Sequence, residues 1–313
     1  MSDETFELIE QIRRTGTRAV MATLVGTHGT TPRKEGTKMF VAEDGAIVGS
    51  VTIGGCVDAR VIEQAGEVLR SSRPSLLEMQ LGDDDAQEIG LTCGGTIDVF
   101  VEPLNAAIYE IAKERAVAIA TDVRSGSHAI IEPLDGRSRM LNEKIYVEVL
   151  RPPSTMYIFG AGAVAIPLVT FAKTVGFRVV VVDARPRFAT RNRFPQADDI
   201  RIGIASEIAE EIELNATTPV VLVAHDYKFE IPVLKRVLAT DVPYIGMLGS
   251  RRRGAAVLNM LREESLTDGQ LARIHTPIGL NLGGETAAEI ALSIVAEVVA
   301  VMHGRNGNSP RVR

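Results

Sequence analysis

Between residues 156 and 183 the chain runs strand, glycine loop, helix, strand, and that run constrains everything after it. Gly160-Ala161-Gly162-Ala163-Val164-Ala165 fits the pattern GxGxxA between the apolar stretch Met156–Gly160 and a helical segment near 163–175, and Asp183 ends the next strand 18 residues after Ala165. Such glycines permit a tight turn and close approach of a pyrophosphate. The helix N-terminus favours phosphate charge, and the acid is placed for a ribose hydroxyl. Strands then alternate with helices. Val179–Asp183, Ile200–Ile202, Val220–Ala224 and Tyr244–Leu248 read as buried strands, separated by helical segments near 206–213, 229–238 and 254–264. The alternation predicts a Rossmann-like, doubly wound parallel sheet. Gly160, Gly162, Ala165, Asp183 and Arg185 are its candidate nucleotide contacts. Asp183 points to NAD, whereas Arg185 and Arg187 are placed to meet a phosphate, so NAD(P) is the candidate cofactor. The alternative that the glycines serve only helix–sheet packing stays open.

The preceding half follows another pattern. Phe6, Ile9 and Ile12 fall at helical spacing behind Ser2 and Asp3, after which Val20–Val25, Lys38–Val41 and Ala46–Val48 read as short period-two strands, the last two joined by the turn Glu43-Asp44-Gly45. A helix is expected over 58–69, strands over 76–81 and 96–101, then a less regular connecting part, 105–151, with a helix near 106–113 and strands near 116–120, 129–132 and 144–150. Arg151-Pro152-Pro153-Ser154 breaks the pattern. The chain therefore reads as α/β, with an N-terminal α+β domain over 1–151, a C-terminal Rossmann-like domain over 154–304 and a frayed tail over 305–313.

The two cysteines of this N-terminal half are the only ones in the chain, and both sit against paired glycines, Gly54-Gly55-Cys56 and Cys93-Gly94-Gly95. A glycine pair lets a loop turn sharply or lie against a ligand, which presents a thiol instead of packing it away. Inert burial is the alternative. Two cysteines with no histidine at finger-like spacing do not make a closed zinc site, and soft thiolates suit thiophilic metals. At the ends of later strands, His225-Asp226 and the basic run Gly249-Ser250-Arg251-Arg252-Arg253 are further candidates for ligand contact, against loop capping and a solvated basic helix end. Glu285 and Thr286 read as caps of the last helix.

Composition narrows the function. Net charge is −6, and Lys and Arg are scattered, which argues against a nucleic-acid surface. The start shows no basic n-region before an apolar h-region, and the longest apolar stretch, Ala287–Met302, is interrupted by Glu289 and Glu297; a cytoplasmic protein without membrane contact is expected. No Ser-His-Asp elbow, HExxH or P-loop lysine motif is present.

Taken in order, Gly29-Thr30-Thr31-Pro32-Arg33, Gly36-Thr37-Lys38-Met39, Gly54-Gly55-Cys56, Cys93-Gly94-Gly95, Val101-Glu102-Pro103, Ile158–Gly162, Val182–Pro186, Arg193-Phe194-Pro195, His225-Asp226 and Tyr244–Arg251 resemble the XdhC/CoxI family. These are accessory factors for molybdenum hydroxylases such as xanthine dehydrogenase and carbon monoxide dehydrogenase. The resemblance implies binding of molybdenum cofactor (molybdopterin) and its delivery, often with sulfuration, to an apo molybdenum hydroxylase. It makes Cys56 and Cys93 candidates to cover or ligate molybdenum, and Arg33 a candidate for the pterin phosphate. A cofactor-synthesis or sulfurase protein is a further expected partner, and a homodimer is expected. The family commonly has Glu where Asp58 stands, and His where Ala163 follows the second glycine. The competing readings are an NAD(P)-dependent oxidoreductase or nucleotide-responsive redox sensor, and a Rossmann half serving only as a docking scaffold. The chain lacks the cysteine clusters and the length of a molybdenum hydroxylase itself.

Overall fold

A computed structural model describes residues 2–29, 33–52, 55–81, 95–113, 115–132, 138–224 and 226–305. The chain divides into two compact units, Met1–Pro153 and Ser154–Arg313.

In the first unit, helix α1 (Ser2–Arg13) precedes β1 (Ala19–Gly29), β2 (Lys38–Ala42) and β3 (Ile47–Gly49); helix α2 (Cys56–Ser71), β4 (Ser75–Leu81) and β5 (Gly95–Pro103) follow. These strands form an antiparallel sheet of order β3-β2-β1-β5-β4. A short helix α3 (Ala106–Glu110) leads to β6 (Val117–Asp122), β7 (His128–Ile131), β8 (Arg139–Met140) and β9 (Ile145–Leu150), a second antiparallel sheet of order β7-β6-β9-β8. The period-two pattern predicts half-buried strands, yet every residue of β2 is buried. The reason is that both faces of the first sheet are covered. Val20, Ala22, Leu24 and Met39 pack on Val57, Val61, Ala65 and Val68 of α2. Met21 and Phe40 point the other way, against Phe6, Ile9 and Ile12 of α1 and Val117, Ile119 and Leu150 of the second sheet. Between the sheets the buried Lys38 Nζ donates to Thr23 Oγ1 at 3.0 Å and pairs with Glu148 Oε2 at 3.0 Å, which also accepts from Tyr109 OH at 3.2 Å.

The second unit alternates β10 (Thr155–Phe159), α4 (Ala165–Thr174), β11 (Arg178–Asp183), β12 (Asp199–Ile202), α5 (Ala205–Glu211), β13 (Val220–Leu222), α6 (Tyr227–Leu238), β14 (Ile245–Met247), α7 (Arg251–Glu263), α8 (Asp268–Leu271), β15 (Ile274–His275) and α9 (Ala287–Met302). All strand pairs are parallel, and the order β12-β11-β10-β13-β14-β15 is that of a Rossmann sheet. Alternate residues of each strand feed opposite cores. Met156, Ile158, Val179 and Val181 meet Leu168, Val169 and Ala172 of α4 and Ile294 and Val298 of α9. Tyr157, Phe159, Val180 and Val182 meet Ile208 of α5, Val233 and Val237 of α6, and Val257 and Leu261 of α7. Each fully buried aliphatic side chain contributes roughly 1.5–3 kcal/mol, so neither face of this sheet tolerates a polar stripe. The two-residue strand β15 and the four-residue helix α8 escaped the sequence reading because neither is long enough to show a period.

Candidate functional site

The glycine loop of the second unit sits where strand order reverses, between β10 and β13, and opens onto a cleft of about 420 Å³. The two glycines do different things. Gly160 has φ +115°, and a Cβ there would lie 2.8 Å from Ala224 N and 2.9 Å from Val223 C, so the fold itself requires glycine. A Cβ on Gly162 would meet only Val223 O, at 3.9 Å. Its missing side chain therefore leaves room at the cleft wall. Ala165, the first residue of α4, is buried and belongs to the core.

Asp183 closes the loop from the side. Its Oδ2 accepts from Ala161 N at 2.6 Å and from Arg185 Nη2 at 2.8 Å; its Oδ1 accepts from Arg185 N and Nε, both at 2.9 Å. Arg193 Nη1 donates to Ala161 O at 2.9 Å, so the peptide groups on both sides of Ala161 are held. Burial alone would raise the Asp183 pKa, but the Arg185 and Ala161 donors outweigh it and the carboxyl is held below its usual range. The acid expected to take a ribose hydroxyl is thus already saturated by protein donors. Arg185, half exposed and stacked 4.1 Å from the Phe188 ring centroid, supplies three of those four donors.

Across the cleft, Asp226 caps α6 by accepting from Lys228 N at 3.0 Å. One turn further on, Glu230 lines the same cleft with its side chain only 1% exposed. Its Oε2 pairs with Arg253 of α7, while Oε1 has no hydrogen-bond partner. Burial pushes the Glu230 pKa up, Arg253 opposes that, and Asp226 adds to it. Sequence reasoning missed Glu230, and offered Arg253 only as part of the basic run that starts α7. Glu230 is one polar residue in an amphipathic helix, and only the packing of α7 shows that it faces inward. Ser250 accepts from Arg253 N at 3.2 Å as the cap of α7, and Arg251 is exposed in its first turn; neither lines the cleft. His225 lies outside the described residues.

In the first unit, Gly55 is the N-cap of α2 with φ 97° and ψ −153°, a conformation open essentially to glycine alone, and Cys56 is the first residue of that 16-residue helix. Asp58, in the first turn, accepts from Ser50 Oγ at 2.5 Å and Thr52 Oγ1 at 3.2 Å, tying the approach loop to the helix. Arg33 Nε donates to Thr52 O at 2.9 Å. Gly95, which follows Cys93-Gly94 in the sequence, pairs with Gly29 at the end of β1. Gly54, Cys93 and Gly94 lie outside the described residues. Among the described residues no group of His, Cys, Asp and Glu forms a ready metal site.

Similarity to known proteins follows the two units. The family model described as the XdhC Rossmann domain matches residues 156–298, and that described as the XdhC and CoxI family matches residues 12–80. A crystal structure described as a xanthine dehydrogenase from Bacillus halodurans superposes with a TM-score of 0.82 at 28% identity, covering 99% of this chain and 98% of its own. A Bacillus subtilis (strain 168) protein, named as a probable subunit of xanthine dehydrogenase, is 26% identical over 90% of this chain and 92% of its own length. The molybdenum cofactor insertion chaperone PaoD of Escherichia coli (strain K12) is 27% identical over 91% of this chain and 84% of its own. With one family model matched in each unit, and the two together spanning well over half of its length, the chain belongs to the XdhC/CoxI family.

Proposed function

We propose that this protein is an accessory factor that takes up molybdenum cofactor on its N-terminal unit and hands it to an apo molybdenum hydroxylase of the xanthine dehydrogenase or carbon monoxide dehydrogenase type. The likeness to a chaperone named for molybdenum cofactor insertion supports the role. The observation that carries the reading is a convergence of backbone. Gly29 pairs with Gly95, and Arg33 bonds Thr52, whose side chain is tied through Asp58 to the helix that begins at Cys56. Three segments far apart in sequence, each ending beside a glycine, a cysteine or an arginine, are thereby held at one end of the first sheet. The donor set suits the cargo: thiolates for molybdenum, an Arg and a helix N-terminus for the pterin phosphate. The exchange proposed is between cytoplasmic proteins, a sulfurase or cofactor-synthesis protein among them. Among the described residues no helix is long and apolar enough to cross a membrane.

The test compares wild type with a Cys56→Ala/Cys93→Ala variant, both purified from a molybdenum-replete host. Near-stoichiometric molybdenum and oxidised pterin in the wild type, lost in the variant, is the expected result. Equal cofactor content in the two proteins would remove the thiols from the site. A second reading, an NAD(P)-linked oxidoreductase or nucleotide-responsive sensor, is favoured by the room beside Gly162 at the strand-order reversal. The two readings are compatible, with a nucleotide in the second unit setting when cargo leaves the first.

A further inference from the structure

The cleft of the second unit is lined by a buried acid with an unpartnered oxygen, and it is not the acid that the glycine loop signature points to. Asp183 already receives four donors. Glu230 Oε1 receives none, although it is buried and its residue lines the cleft. An unpaired buried carboxylate oxygen is costly and is expected to have a partner in the working state. The walls beside Glu230, Leu222, Phe229 and Val233, are apolar. A sugar, whose hydroxyls each need partners, fits such walls poorly; a flat heterocycle that presents an exocyclic amino group to one acceptor fits them well. The opposite end of the cleft, at Gly162 and the start of the ten-residue helix α4, is the end suited to phosphate. Phosphate is disfavoured at the Glu230 end, where Asp226 adds a second acid.

We infer that the cleft takes an adenine nucleotide, with Glu230 Oε1 accepting a hydrogen bond from the exocyclic amino group of the base and the phosphates at Gly162. The inference rests on the nucleotide reading of this cleft and specifies what it selects. Arg253 is a positioning residue: it occupies Oε2 and leaves Oε1 as the oxygen without a partner. Hypoxanthine, which carries an oxygen where adenine carries the amino group, sets an acceptor against an acceptor and is rejected.

The experiment is calorimetric titration of the full-length protein with ADP and with IDP, which share the ribose and the diphosphate. Wild type is expected to bind ADP about tenfold or more tightly than IDP, the usual consequence of losing one bond to a charged group. Glu230→Gln, which presents an amide in place of the carboxylate, is expected to bring that ratio towards one, its melting temperature reporting that it remains folded. Equal affinity for ADP and IDP in wild type overturns the base assignment while leaving a nucleotide site. Binding of neither overturns the nucleotide reading as well. A ratio unchanged in folded Glu230→Gln removes Glu230 as the reader. The wild-type comparison stands even if the variant does not fold.

Discussion

At the scale of single residues, the glycine loop separates what folding needs from what a ligand needs. Gly160 is held at φ +115° with the Val223–Ala224 backbone within 3.1 Å of any added Cβ, whereas Gly162 has no atom nearer than 3.9 Å. Gly160→Ala is therefore expected to cost about 2 kcal/mol or more in stability, from strain and clash together. Gly162→Ala is expected to stay within about 0.5 kcal/mol of wild type but to weaken nucleotide binding, because the methyl group fills space at the phosphate end. Chemical denaturation and ADP titration of the two variants check this. Equal destabilisation of both, with ADP binding intact in whatever folds, would return both glycines to packing. The two positions look alike in GxG, and only the neighbouring strand β13 tells them apart. The same limit applies to Asp183: its place at the end of β11 was legible, but its saturation by Arg185 and Ala161 was not, because that bonding depends on a rotamer and a loop conformation.

At the scale of elements, the buried Lys38–Glu148 pair joins β2 of the first sheet to β9 of the second, 110 residues away in sequence. Removing one partner strands the other charge where water cannot reach it. Lys38→Met is expected to cost about 3–5 kcal/mol, and adding Glu148→Gln is expected to recover a measurable part, since the amide still accepts from Tyr109 and carries no charge. Urea unfolding of wild type, single and double variants decides it; a double variant no more stable than Lys38→Met would mean that the charge was not the problem. Most elements themselves were legible, because their cause is local: continuous Val-rich runs in β11 and β13, capped amphipathic helices, and the turn at Asp44-Gly45. The sequence also placed a strand at 76–81 and a helix at 58–69, within two or three residues of β4 and α2. What it could not show was which strands are covered on both faces. That follows from the second sheet and α1 arriving from other parts of the chain, so the total burial of β2 had no signal in five residues containing a lysine.

For the molecule as a whole, stability against pH is set by groups in both units that pull in opposite directions. Asp183 is buried and Glu297 half-buried, which alone would raise their pKa values, but their hydrogen bonds win and both are held low. A carboxyl lowered in the folded state contributes stability present above its unfolded value, about pH 4, and lost as pH falls through the folded value. Burial raises Asp98 and Glu230, which oppose this from about pH 4 upwards. On the neutral side the controlling group is His128, whose Nε2 lies 2.8 Å from Glu102 Oε2; that hydrogen bond raises its pKa against a smaller opposing effect of burial and of Lys38. A histidine raised in the folded state contributes stability that is complete below about pH 6.5 and disappears as pH rises through the folded value. The maximum is therefore expected on the acid side of neutrality. Thermal melting from pH 5 to 8 is expected to show the wild-type Tm falling by about 2 °C or more above pH 6.5, with His128→Gln, which keeps a donor to Glu102 but does not titrate, lacking that fall. A His128→Gln profile parallel to wild type would assign the loss to another group, and a wild-type Tm that rises between pH 6.5 and 8 would show that the Glu102–His128 pair does not govern this range.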